Sequence, residues 1–421
     1  MQRTEIDLSD MEFWSRPLDE RAAAFAALRA QPGLAFFAEF EPPPPLVQGP
    51  GYYCLTRHAE VVEASRHPEL FCSGQGTNIG DMPAEFLEFF GSMINLDDPR
   101  HARFRRIVSR VFTPRFLESL KADVSQIAKE IVAGIAPRGQ CDFVTEVAAL
   151  LPLRVIVDLM GIPRSEEKFI FDRTNVILGF TDPEYVPAGE PEAVIGALLT
   201  AGAELDGVVR EIGEDRVRNP QDDITTALVT AEVDGEKLTT AELASFFILL
   251  VVAGNETTRN AIAHGMHLLT EHPEQRALWQ ADFDTLAPTA VEEIVRTASP
   301  VIHFRRTVTT DGARIGDHTF SEGDKVVLWY WSANRDEAVF AAPKRFDIAR
   351  KPNDHVGFGG PGPHFCLGAH LARREIAMAF QEVFRALPDI HTTGEPDRLL
   401  SAFINGIKHL PVEWTPAEVR P

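Results

Sequence analysis

Cysteine is scarce in this chain, with four among 421 residues: Cys54, Cys72, Cys141 and Cys366. Their separations match no metal-ligand spacing, and four are too few for a disulfide framework over this length. They suit reduced thiols in a cytoplasmic protein. Long apolar runs are missing as well. The opening MQRTEIDLSDMEFWSR is polar and charged, without the apolar stretch of a secretory signal. The most apolar run, residues 246–254, is far too short to span a bilayer, so no transmembrane segment is expected. Positive charge is in deficit, with 41 lysines and arginines against 62 acids and a net charge of −21. That balance speaks against nucleic acid as a partner, because phosphate contacts need clustered cations. There are no repeats and no low-complexity tract. The prolines between Glu41 and Leu46 read as a local extended turn rather than a linker.

What cationic charge exists is bunched. Arg100, Arg103, Arg105, Arg106, Arg110 and Arg115 form one group, and Arg373 with Arg374 follow Cys366. Such patches suit either an acidic partner or solvated helix faces with local ion pairs. A hydrophobic content of 44% allows a large core. Most of 97–283 carries helical periodicity. Strand-like pieces are short and lie toward the two ends, at 52–56, 305–308, 318–320, 325–331 and 410–414, with turn signals at 315–318 and 321–324. The expected fold class is mainly α, a large helical body with a small β-rich region, in one domain over 1–421.

Four segments carry chemistry. In the first, Cys366 lies in Phe358-Gly-Gly-Pro-Gly-Pro-His364-Phe-Cys366-Leu-Gly368-Ala. A helix is expected over 367–384, with Leu371, Ile376, Phe380 and Phe384 at helical spacing. The sulfur then sits at a helix N-terminus, where free N–H groups favour a thiolate. The glycines let backbone pass close to something flat. A thiolate so presented can ligate haem iron from one face and leave the other open. Taken alone, Cys366 would more readily be a buried free cysteine.

The second segment, 243–267, is apolar on all sides in its first half, as a helix in the middle of a protein would be. At its centre stand Ala253, Gly254, Asn255, Glu256, Thr257 and Thr258. Ala253 and Gly254 clear space for a flat ligand. Thr257 can bond back to a carbonyl one turn earlier, and with Glu256 it can hold water and pass protons. The alternative is a core helix with a packing glycine. In the third segment, Glu293 and Arg296 share one face of a helix expected over 288–297, and Arg345 in Pro-Lys-Arg-Phe is a candidate to join them in a buried ionic cluster. In the fourth, His101 and Arg105 lie one helical turn apart and can hold carboxylates, with Arg306 as a further candidate.

Together and in this order, these segments resemble a cytochrome P-450, a haem-thiolate monooxygenase, over essentially the whole chain. The likeness rests on Ala253–Thr258, Glu293–Arg296, Pro343–Phe346 and the cysteine loop. One departure stands out. Phe358 lies eight residues before Cys366 where the usual pattern has seven, which reads as a one-residue insertion. The stretches 91–101, 245–259 and 282–293 are similar to the mycobacterial methyl-branched-lipid omega-hydroxylase branch.

The resemblance implies a triangular prism holding haem b between two central helices. It implies Cys366 as iron ligand and Glu256 with Thr257 as proton relay. His101, Arg105, Arg306 and His364 would hold the propionates. Ala253, Gly254, Phe358 and Gly368 would lie against the haem. Glu293, Arg296 and Arg345 would brace the fold. The expected pocket runs from Phe71 to Met93, then Phe247, Ile248, Val301, Ile302, His303 and Phe403, with 169–187 as part of a lid. The implied reaction is hydroxylation of an apolar branched fatty acid, isoprenoid or sterol side chain by O2. Electrons would come from NAD(P)H through a ferredoxin reductase and a ferredoxin. The rivals are a peroxide-driven haem peroxygenase, a non-catalytic haem sensor or carrier, and a haem-free helical scaffold.

Overall fold

The computed structural model describes residues 6–41, 47–112, 114–187, 191–232 and 235–416. The prolines at 42–45 therefore lie outside the described residues. The helices in chain order are α1 Met11–Ser15, α2 Leu18–Ala30, α3 His58–Arg66, α4 Ala84–Gly91 and α5 Arg100–Ser109. Then come α6 Pro114–Ile135, α7 Leu150–Met160, α8 Glu167–Leu178, α9 Pro191–Arg218 and α10 Ile224–Thr230. The last five are α11 Thr240–Glu271, α12 Pro273–Ala281, α13 Phe283–Ala298, α14 Tyr330–Ala333 and α15 Ala369–Ala386. The strands are β1 Ala35–Phe37, β2 Tyr52–Leu55, β3 Phe71–Cys72, β4 Gln140–Asp142, β5 Phe304–Val308 and β6 Arg314–Ile315. They continue with β7 His318–Thr319, β8 Lys325–Leu328, β9 His391–Thr392, β10 Asp397–Arg398, β11 Ile407–His409 and β12 Pro411–Glu413.

The longest helix, α11, organises the rest. Thr239 caps it, accepting from the Glu242 N–H at 3.2 Å while the Glu242 carboxylate accepts from the Thr239 N–H at 2.8 Å. This reciprocal box satisfies two of the orphan donors at the start of the helix. Pro273 follows the other end, where continuation would cost a hydrogen bond. Helices α7, α9, α13 and α15 pack around α11. Two glycines allow the close approaches. A Cβ on Gly254 would meet Ile156 Cδ1 at 2.7 Å, and one on Gly265 would meet the Phe380 ring at 2.7 Å. Among the described residues, α11 is long and apolar enough to cross a membrane, which the short run at 246–254 did not suggest. Its many fully buried residues and four flanking helices make it the core helix of this fold.

The expected helix ends shift by a few residues. The helix after the cysteine begins at Ala369, because Gly368 takes the cap position. Helix α13 starts at Phe283 and carries Pro288 inside it. Five strands form the main sheet in the order β1-β2-β8-β5-β3, antiparallel except for the β2–β8 pair. The strand expected over 325–331 ends at Leu328, and α14 follows. The β6–β7 hairpin turns where expected, with Ile315 opposite His318 and Gly316 at φ +57°. One large hydrophobic core fills the helical body, and two smaller ones flank the main sheet.

Candidate active site

A cavity opens between α11 and α15, about 240 Å³ counted as space for the centre of a water molecule. Ala253, Gly254 and Thr257 of α11 form one wall, and Phe358, Cys366, Leu367 and Gly368 form the facing one. Beyond them Met93, Ile94, Phe246, Leu249, Leu250, Val301 and Phe304 make an apolar end.

The cysteine loop is closed on itself. The Cys366 N–H donates to the Phe358 carbonyl at 2.9 Å, so the two ends of the loop stay joined. Between them the chain bulges onto α3. A Cβ on Gly360 would clash with Ser65 Oγ, and one on Gly362, at φ +156°, would clash with the Ser65 carbonyl. Phe358 stays on the cavity wall, with the Arg373 guanidinium over its ring at 4.4 Å.

Cys366 is the exposed one of the four cysteines, but its sulfur opens onto this cavity rather than bulk water. Burial pushes the thiol above its ordinary pKa. The Gly368 N–H, Arg105, Arg373 and the Ala369 N–H pull the other way without winning. The N–H groups at the helix start pull toward the thiolate, as expected from the sequence, but burial outweighs them. A coordinated cation would ionise the sulfur.

At one edge of the cavity four bases converge. His101 is buried with no hydrogen-bond partner for Nε2. Its ring lies 4.2 Å from that of His364, whose Nε2 is 3.2 Å from Ser73 Oγ. Arg105 donates to the Phe365 carbonyl at 2.6 Å, and Arg306 donates to the Arg305 carbonyl at 2.8 Å. Burial holds His364 down at about 2, helped by Arg306, His101 and Arg105. His101 is lowered by burial and then by Arg105. Bases that suppress one another beside a cavity suit an anionic ligand. Haem b fits this arrangement: Cys366 would hold its iron, Ala253 and Gly254 leave space for a flat ring, and these four side chains would take its carboxylates.

On α11 the Thr257 hydroxyl donates to the Ala253 carbonyl at 2.8 Å and borders the cavity. Glu256 turns away from it. Its Oε1 accepts from Arg259 and from Asn260 at 3.0 Å, while Oε2 has no partner. Arg259 in turn donates to Asn175 of α8 at 2.8 Å. The sequence reading missed Glu375, a buried acid on the cavity wall. Burial pushes it up to about 8 against the pull of the Thr258 hydroxyl. The signal was present, since Glu375 lies four residues after Leu371 on the apolar stripe of α15.

Glu293 is fully buried and heavily bonded. It accepts from Arg296 at 2.7 and 2.8 Å, from Arg350 at 3.0 Å, from Asn353 at 3.2 Å and from the Asp347 N–H at 3.0 Å. The expected partner Arg345 is a correction. Its side chain is 67% exposed, and only its backbone carbonyl joins, accepting from Arg296 and Arg350. Arg350 takes the second cationic place.

The expected pocket residues divide. Met93 and Val301 line the cavity. Phe247 and Ile248 are buried in the core, and Phe246, Leu249 and Leu250 take the wall instead. Phe71 packs under the sheet against Phe320. Ile302 belongs to the core around Trp329. His303 is held down at about 4 by burial and pairs through Nδ1 with the Ala402 carbonyl at 3.0 Å. Phe403 stands behind the wall, its ring 5.6 Å from that of Phe304.

Comparisons with known proteins agree with this geometry. Residues 200–397 match the cytochrome P-450 family. The chain is 51% identical over 414 residues to the methyl-branched lipid omega-hydroxylase of Mycobacterium tuberculosis, covering 98% of this chain and 95% of that protein. It is 41% identical over 386 residues to the steroid C26-monooxygenase of Rhodococcus jostii, covering 90% and 79%. A Mycobacterium marinum cytochrome P-450 in complex with pseudoionone superposes with a TM-score of 0.90 at 39% identity, covering 98% of this chain and all of that one. Likeness of this extent, in sequence and in fold, leaves one conclusion: the chain belongs to the cytochrome P-450 family and is a haem b monooxygenase.

Proposed function

We propose that this enzyme hydroxylates the terminal carbon of a long methyl-branched lipid that enters tail first. The observation that carries the reading is the distribution of charge around the cavity. Among its described lining residues, the apolar end at Met93, Ile94, Phe246, Leu249, Leu250, Val301 and Phe304 holds no ionisable group. Of the four bases, Arg306 stands beside this end, its guanidinium 5.9 Å from the Phe304 ring, and it would be taken up with His101, Arg105 and His364 by the haem propionates. A lipid carboxylate driven into the apolar end would lose its hydration without a partner, at a cost of several kcal/mol or more. The charged head therefore stays at the mouth, and the branched tail reaches the wall of Ala253 and Thr257. Relatives named for omega-hydroxylation of branched lipids and for steroid C26 oxidation support the same orientation, since both names place the oxygen at the end of a chain.

In the overall reaction one C–H bond is replaced by C–OH. One O2, two electrons and two protons are consumed, and one water is released. Haem b, held by the Cys366 thiolate, supplies the oxygen activation. The small side chain at Ala253 leaves room at the reacting position. Apolar lining excludes water. The Thr257 hydroxyl, already turned toward the Ala253 carbonyl, would hold a water on the cavity side and pass it protons, while Glu256, turned away and paired with Arg259, would have to leave that pair to join the relay. Electrons would come from NAD(P)H through a ferredoxin reductase and a ferredoxin, because the chain carries no flavin or iron–sulfur motif.

Two measurements test this. Purified holoenzyme is titrated with a methyl-branched long-chain fatty acid, its unbranched counterpart and a sterol ketone, and the iron spin state is followed. The branched acid should give the largest low-to-high-spin shift. With reductase and ferredoxin its product should be the terminal alcohol by mass-spectrometric fragmentation. Oxidation near the carboxyl end would overturn the tail-first reading. In Thr257→Ala, ligand binding should persist while product per NAD(P)H falls about tenfold. That is less than the hundredfold or more typical of a lost acid–base group, because water can partly substitute. The missing electrons should appear as hydrogen peroxide. Full coupling would remove Thr257 from the relay.

A further inference from the structure

The segment that follows α8 is fastened to the C-terminal hairpin of β10 and β11. The Thr181 hydroxyl donates to the Leu400 carbonyl at 2.6 Å, and the Leu400 N–H donates to Asp182 at 3.0 Å. Lys408 reaches Asp182 at 3.3 Å, Glu184 at 2.9 Å and Asp397 at 3.6 Å. Its ammonium thus fills a cluster in which Glu184, Asp397 and His409 would otherwise have metal-ligand spacing.

His409 makes the second fastening. Its Nδ1 lies 2.6 Å from Asp142 and its Nε2 lies 3.0 Å from Glu184. Asp142 belongs to β4 and is held by the N–H groups of Val144 and Leu410, both at 3.0 Å. The imidazole therefore bridges the fixed body and the segment after α8. Both ring nitrogens face carboxylates, which only accept. A neutral imidazole has one N–H and can satisfy one of them, whereas an imidazolium satisfies both.

This fastening bears on the cavity. The loop between β10 and β11 carries Phe403, which packs on the wall residue Phe304, and Ile404, which bridges to the wall residue Val301. On the other side α8 meets α11 through Asn175 and Arg259. We propose that residues 179–187 form a strap fastened to the body by the His409 imidazolium between Asp142 and Glu184, next to the loop that backs the cavity wall, and loosened when His409 loses its proton.

Other charges near His409 are largely engaged. Lys408 pairs with Asp182, Asp397 and Glu184, Arg138 pairs with Glu146 beside Asp142, and Arg259 pairs with Glu256 on α11. Partial burial works against the imidazolium, but Asp142 and Glu184 outweigh it and raise the pKa of His409 above its ordinary value. The sign follows from that direction. The clasp is complete below the unfolded histidine pKa and is lost as pH rises through the raised folded one.

The test is hydrogen–deuterium exchange of the holoenzyme from pH 6 to pH 9, corrected for intrinsic rates, comparing residues 179–187 and 399–409 with α11. Wild type should lose about threefold to fivefold of its protection there as pH rises, the weight of a solvent-screened ion pair. His409→Gln should be loose at every pH, and His409→Arg should stay fastened at every pH. The absorption spectrum of the haem should be the same in all three, which separates strap release from misfolding. A pH-independent wild type, or a pH response that survives in His409→Gln, would overturn the proposal.

Discussion

Replacing Cys366 with serine is expected to abolish oxygenation. The hydroxyl of serine does not ionise at physiological pH and is a hard, weak ligand where a soft thiolate is needed. Because loss of even an outer-shell partner of a metal ligand costs about tenfold to a hundredfold, loss of the ligand itself should cost at least on the order of a hundredfold in turnover. The fold should survive. The loop is closed by the bond from the Cys366 N–H to the Phe358 carbonyl, which a side-chain exchange leaves in place. The check is the absorption of the reduced protein under carbon monoxide, with the strongly red-shifted Soret band in wild type and none in Cys366→Ser. Normal turnover in the variant would remove Cys366 as the ligand.

The second large effect concerns stability. Glu293→Ala is expected to destabilise the holoenzyme by about 3–5 kcal/mol, because it leaves two buried guanidinium groups, Arg296 and Arg350, without their carboxylate. The Asp347 N–H and the Asn353 amide lose an acceptor as well. Arg345→Ala should fall within about 0.5 kcal/mol of wild type, as exposed surface changes do. Urea unfolding followed by tryptophan fluorescence distinguishes the two. Equal destabilisation by both variants would return Arg345 to the cluster and displace Arg350.

The contrast between Arg345 and Arg350 shows where sequence reasoning runs out. Glu293 and Arg296 were legible because a helix has a period, and residues three apart must share a face. The third member comes from an irregular segment, where no period says which side chain reaches inward. The same limit explains the wall of α11. That helix is apolar on every side, so there is no polar face against which to set its phase. At about 100° per residue, Phe247 and Ile248 fall on the face roughly opposite the one shared by Phe246, Leu249 and Leu250, which takes the wall. Glu375 was hidden differently, as one acid inside an apolar stripe that otherwise reads as ordinary core. Strands of two or three residues, such as β3, β9 and β10, are too short for alternation to show. The cysteine loop, the two central helices and the mainly α class were plain because glycine, proline and helical periodicity mark them without help from distant parts of the chain.

The bulge of the cysteine loop onto α3 has a bearing on how this enzyme can be altered. Gly360 and Gly362 press on Ser65 while the Phe358–Cys366 closure stays in place. Ser65 also borders a small second pocket with His364 and Arg306. A library that enlarges position 65 would therefore act on the loop and on that pocket from outside the main cavity, whereas one confined to the main cavity wall would leave this packing untouched.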